Sequence, residues 1–99
     1  MMLFEFEWDE GNWPKCGKHG VSREEIEQVL FSTPAVMPGP CLDESRLRAI
    51  GKTHAGRYVF LVFLLLETRT NTKINTKLRP ISARYMHQKE IDHYESQYQ

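Results

Sequence analysis

The chain of 99 residues predicts an α+β domain: a small, mostly antiparallel sheet with helices packed on one face, in the order β-α-β-β-β-α. Three observations predict it. Apolar residues alternate with acids near the start, a capping signal opens an amphipathic stretch at Ser22, and a long apolar run over residues 59–66 follows a glycine-containing turn. The length suits one domain, residues 1–99, around one modest core.

Phe4, Phe6 and Trp8 alternate with Glu5 and Glu7, the period-two pattern of a strand with one buried face. Gly11, Pro14 and Gly17 argue against a long regular helix in the next stretch, leaving room for a short turn capped by Asp9. Ser22 and Glu25 have the spacing of a capping box, and Val21 with Ile26 fits a hydrophobic staple. A helix therefore starts at Ser22. Ile26, Val29 and Leu30 recur on one of its faces, and Pro34 ends it. Pro34, Pro38, Gly39 and Pro40 make a loop with a short extended piece at 35–37.

Residues 46–53 and 57–67 flank His54-Ala55-Gly56, so they form the arms of an antiparallel hairpin. The second arm is apolar on both faces, which makes 58–66 the middle strand. Polar residues fill 68–76, an exposed loop or fraying hairpin tip, and 78–84 is a further strand. His87, Ile91, Tyr94 and Tyr98 then recur at helical spacing.

The apolar run is far short of the roughly 20 residues that cross a bilayer. The N-terminus has no basic region followed by a long apolar stretch. No membrane association and a cytoplasmic location are expected. Cys16 and Cys41 are then expected to stay reduced. Neither lies in a CxxC pair, so no metal and no cofactor are predicted. The net charge is zero, yet residues 46–89 hold ten Lys or Arg and one acid, Glu67. A cationic centre between acidic ends suits a polyanion.

A site acting on the phosphates of a polyanion needs cations for their charge and, for acid–base chemistry, a group that can exchange a proton near neutrality. On residues 46–53, Leu47, Ala49 and Gly51 alternate with Arg46, Arg48, Ile50 and Lys52, so the cations share one face. On 78–84, Ile81 and Ala83 go to the helix-covered face and Ser82 and Arg84 to the open one. His19, beside Lys18 in a loop before the capped helix, is the leading titrating candidate. His54, His87 and His93 read as surface or packing residues, and Tyr94 and Tyr98 as core. The competing reading of the cations is that they keep sheet edges soluble.

Phe6-Glu7-Trp8-Asp9, Lys18-His19-Gly20-Val21, Glu44-Ser45-Arg46 leading into Ala49-Ile50-Gly51, the Gly56-Arg57 turn and Ile81-Ser82-Ala83-Arg84 follow one another in order. Together they resemble the BrnT family of toxins over almost the whole chain. The chain departs from the family pattern at Gly11 and Pro14 and at Leu64-Leu65-Leu66. The resemblance implies a fold similar to RelE-like ribonucleases, cleavage of RNA, and inhibition by a BrnA-type antitoxin through which the complex reaches operator DNA. The expected site is then catalytic Lys18, His19, Arg46 and Arg84, with Arg48, Lys52, Arg57 and Arg79 positioning RNA for metal-independent transesterification. The alternative is a non-catalytic homologue that only binds the antitoxin and acts as co-repressor.

Overall fold

A computed structural model of the chain describes residues 2–32, 34–38 and 46–98. Cys41, the Gly39-Pro40 part of the expected loop and the Glu44-Ser45 motif lie outside them. Among the described residues the sheet has five strands in the order β1-β5-β4-β3-β2. These are β1 (Met2–Phe6), β2 (Ala35–Pro38), β3 (Arg46–Lys52), β4 (Tyr58–Arg69) and β5 (Ile74–Tyr85). Only β1 runs parallel to its neighbour, β5; the other three pairings are antiparallel. As the apolar run predicts, β4 is the middle strand.

The described residues also form three helices, α1 (Trp13–Cys16), α2 (Arg23–Phe31) and α3 (Gln88–Tyr98), with a 3-10 turn at Gly17–His19. The predicted capping box is formed in full: Ser22 Oγ accepts from the Glu25 N–H at 3.1 Å, and Glu25 Oε1 accepts from the Ser22 N–H at 3.1 Å. The β3–β4 hairpin closes through Gly56, whose φ of 84° is open to glycine at little steric cost. The polar tip is narrower than the composition suggests, because β4 and β5 stay paired out to Arg69 and Ile74.

Cys16, Val21, Ile26 and Val29 meet Ala49, Val59, Leu61, Phe63, Leu78 and Ala83 in one core. That core lies between α1, α2 and one face of the sheet. Gly51 permits the close approach of α2, since a Cβ there would stand 3.1 Å from Val29 Cγ1 and 3.1 Å from Pro34 Cβ. The third helix is anchored elsewhere. Tyr94 packs edge-on against Tyr58, with ring centroids 5.8 Å apart, and the Tyr58 hydroxyl donates to Glu95 at 2.8 Å. Tyr58 precedes Val59 and so points away from the core, which puts α3 on the opposite face of the sheet.

A bulge breaks the pairing of β4 and β5. Val62 pairs with Ser82 but Phe63 pairs with Pro80, so Ile81 is the extra residue. The period-two phase of β5 changes there. Thr76, Leu78 and Pro80 are buried before it and Ala83 after it. Proline is tolerated at a bulge because the ladder is already interrupted. The Pro80 carbonyl is met from across the loop by Asn12, which is 2 % exposed and donates to it at 2.8 Å. Asn12 Nδ2 also donates to the Glu7 carbonyl at 2.9 Å, and its Oδ1 accepts from the Asp9 N–H at 2.8 Å.

Candidate functional site

The register across β3, β4 and β5 places Arg48 beside Val62 and Ser82, and Ile50 beside Phe60 and Arg84. These residues lie on the face away from the core, as the alternation of β3 predicts. Between them and α3 is a groove of about 510 Å³. Met37, Ile50, Phe60, Met86 and Tyr94 give it an apolar floor, and Arg48, Lys89 and His93 bring basic groups to it. Glu90 and Gln97 complete the lining. On α3, Lys89 and His93 are four residues apart and so share a helix face.

Arg84 does not stand open to solvent as its strand position suggests. Its two terminal nitrogens each donate to one oxygen of Glu90, both at 2.7 Å, and its guanidinium lies 4.9 Å from the centroid of Phe60. A bidentate pair of this kind fixes geometry as well as charge. It ties the first turn of α3 to β5, while Tyr58, Tyr94 and Glu95 tie down the later turns. The Arg84 guanidinium holds the Glu90 carboxyl well below its ordinary value of 4.5, at about 2, helped by the His87 N–H. Glu90 therefore stabilises this docking fully above about pH 4.5, and the contribution is lost as pH falls toward 2. The pair is about one-third exposed at each side chain, so it is worth no more than about 1 kcal/mol. We expect the Tyr94 ring signals in NMR spectra to leave their docked positions over that acid range. In Glu90→Ala the same change should be present at neutral pH, and an unchanged spectrum would dissociate the pair from helix docking.

The remaining expected site residues are spread over both faces. Arg46 is exposed at the start of β3, opposite Leu64. Lys52 is exposed at the other end of β3, with Nζ 4.9 Å from the Tyr58 ring centroid. Arg79 was expected to hold RNA; its Nη1 instead donates to Glu7 at 2.8 Å and to Asp9 at 2.7 Å. Two carboxylates thus balance its charge, and Arg79 holds Asp9 below the usual carboxylate range. Lys18 and His19 are exposed on the 3-10 turn at the α2 side. The neighbouring Gly20 carbonyl accepts from the Tyr85 hydroxyl at 3.4 Å, and Tyr85 packs against the core. Arg57 lies 3.4 Å over the Tyr85 ring, and Tyr85 donates to Glu25 at 2.6 Å. The structure thus brings Arg48 to the groove, sets Arg84 behind its Glu90, and leaves Lys18, His19 and Arg57 on the far side of the sheet.

Cys16 is fully buried, and burial pushes its thiol up to about 11, so it is inert packing. Among the described residues, no three of His, Cys, Asp and Glu stand together as a set that could hold a metal ion. No helix among them is long and apolar enough to cross a membrane.

His93, Lys89 and Glu90 are the groove residues that sequence reasoning missed. The signal that could have found them was their spacing, since residues 89, 90 and 93 share one turn of a helix whose apolar stripe is short. No individual curated protein matches the chain. A family model described as "Ribonuclease toxin, BrnT, of type II toxin-antitoxin system" matches residues 8–90, which covers every motif named above except part of Phe6-Glu7-Trp8-Asp9. The chain belongs to the BrnT family of type II toxin-antitoxin ribonuclease toxins.

Proposed function

We propose that the protein cuts RNA by metal-independent transesterification on the sheet face that α3 partly covers, and that this cleavage inhibits growth of the cell whose cytoplasm holds it. The observation that carries the reading is the groove itself, where Arg48, Lys89 and His93 converge on an apolar floor. Arginine and lysine neutralise phosphate oxygens, and arginine can do so through two parallel hydrogen bonds. Histidine gains and loses a proton nearest neutrality of all side chains. His93 takes the proton of the 2′-hydroxyl or returns one to the leaving 5′-oxygen, while Arg48 and Lys89 hold the phosphate. Arg46, exposed on the same face, extends the track for the RNA backbone. Arg84 acts from behind: braced by Glu90, it holds α3 at the height that defines the groove.

A BrnA-type antitoxin would inhibit by covering this face, and the complex would reach operator DNA through the antitoxin's own DNA-binding part. Acidic residues of the antitoxin would meet Arg46 and Arg48, so association should slow as salt rises.

The chemistry is tested on purified protein with a short RNA. Cleavage should survive excess EDTA and leave a 2′,3′-cyclic phosphate on the upstream product, since the attacking nucleophile is the RNA's own 2′-oxygen. Loss of cutting in EDTA that magnesium restores, or a 3′-hydroxyl end, would place the protein in another nuclease class. No cleavage of any RNA, with antitoxin binding intact, would favour the binding-only alternative.

A further inference from the structure

The lining of the groove is divided by chemistry. Met37, Ile50, Phe60 and Met86 form the floor, while Arg48, Lys89 and His93 supply the basic groups. Glu90, the acid of the lining, is already balanced by Arg84 at 2.7 Å. A volume of about 510 Å³ lies within the range of small-molecule clefts, roughly 300–1,000 Å³. A backbone-only site would need cations without such a floor.

We infer that this groove seats a single unpaired nucleotide of the RNA, its base on the apolar floor and its phosphate among the basic groups. The inference rests on the proposed RNA-cutting role and names the substrate class, single-stranded RNA. Base pairing hides the faces of a nucleobase within the stack and leaves only its edges in the grooves. A base can reach this floor only when it is splayed out, the usual target of proteins that read RNA through apolar and aromatic surfaces. The sugar–phosphate then stays at the basic side, which sets the 2′-hydroxyl near His93. Gln97, on the last turns of α3, carries an amide that can both donate and accept at a base edge.

The test uses the full chain and three probes: adenosine 3′-monophosphate, adenosine and inorganic phosphate. Amide and methyl signals of Ile50, Phe60, Met86 and Tyr94 are followed by NMR during each titration. The nucleotide should bind more tightly than either fragment and shift the floor signals, while phosphate alone should shift only the basic side. Phe60→Leu, which keeps an apolar floor but removes the ring, should weaken the nucleotide at least about fivefold if the base lies on that ring. Gln97→Ala, at an exposed position, serves as a second variant that leaves the floor intact and should alter preference among bases. A hairpin whose bases are all paired should compete poorly with an unpaired oligonucleotide of equal charge.

Equal affinity for phosphate and nucleotide, or shifts that bypass the floor, would overturn the seat. So would floor signals that respond to an acidic, leucine-bearing peptide and to no nucleotide, since the groove would then be a seat for protein. RNA cleavage that persists alongside those results would leave the proposed function standing and sink only the nucleotide seat. Nucleotide binding at the floor without any cleavage would do the reverse.

Discussion

His93→Gln should lower the rate of RNA cleavage at neutral pH by about a hundredfold or more, the usual consequence of losing a positioned proton carrier. It should also flatten the pH dependence of the rate, because glutamine occupies similar space and does not titrate. The fold should be unaffected, since His93 is exposed on α3 and the helix is held by other residues, Glu90, Tyr94 and Glu95. Single-turnover rates from pH 5 to 9, with circular dichroism as the control on folding, make the measurement. The matching variant is His19→Gln. His19 lies on the 3-10 turn beside α2, whereas the groove lies on the face that carries α3. A large loss in His19→Gln with little in His93→Gln would move the chemistry to the α2 side, where Lys18, Arg57 and Tyr85 are the available partners. Arg48→Ala offers a third comparison, expected to weaken RNA binding and cleavage together because its guanidinium lines the groove as a fixed cation that does not transfer a proton.

How much of this was legible depended on how local the signal was. The capping box at Ser22 and Glu25, the glycine turn at Gly56 and the central position of β4 are each written in a few adjacent residues, and the structure has all three. The shared face of Arg46, Arg48 and Lys52 also follows from strict alternation along β3. Alternation fails on β5, where the bulge at Ile81 changes the phase between Pro80 and Ala83. No residue type announces that change. The partners of Arg79 and Arg84 were equally hidden. Arg79 meets Glu7 and Asp9 some 70 positions earlier, and Arg84 meets Glu90 only because α3 turns back across the sheet after Met86. A charge count along the sequence sees ten bases; it does not see that the fold sets carboxylates against Arg69, Arg79 and Arg84 among them. The sequence also treated His93 as surface, because the side of the sheet that α3 takes is decided by tertiary packing and not by the stripe of the helix.

Asn12→Ala should be among the most destabilising substitutions of a polar residue in the chain. Asn12 is 2 % exposed and uses both ends of its amide: Nδ2 donates to the Glu7 and Pro80 carbonyls, and Oδ1 accepts from the Asp9 N–H. Alanine would leave those three backbone groups without this partner in a place where water has little access, and each unmet group costs about 1–3 kcal/mol. Because the loop can shift to recover part of that, a total near 2–4 kcal/mol is expected. For a domain of this size that corresponds to a fall in melting temperature of roughly 10–25 °C. Asn12→Asp separates the hydrogen bonds from mere volume. A carboxylate fills the same space and still accepts from Asp9, but it cannot donate, and it sets negative charge against two carbonyl oxygens. It should therefore be no better than alanine at neutral pH and should recover somewhat in acid, when protonation restores one donor. Thermal unfolding followed by circular dichroism reads both variants. A melting temperature for Asn12→Asp near that of the parent would mean that packing, and not donation to the bulge carbonyl of Pro80, holds the first loop on β5. The consequence reaches the site through the strand: Pro80 is four residues before Arg84, so freeing the bulge should also loosen the brace between Arg84 and Glu90, visible as an earlier release of α3.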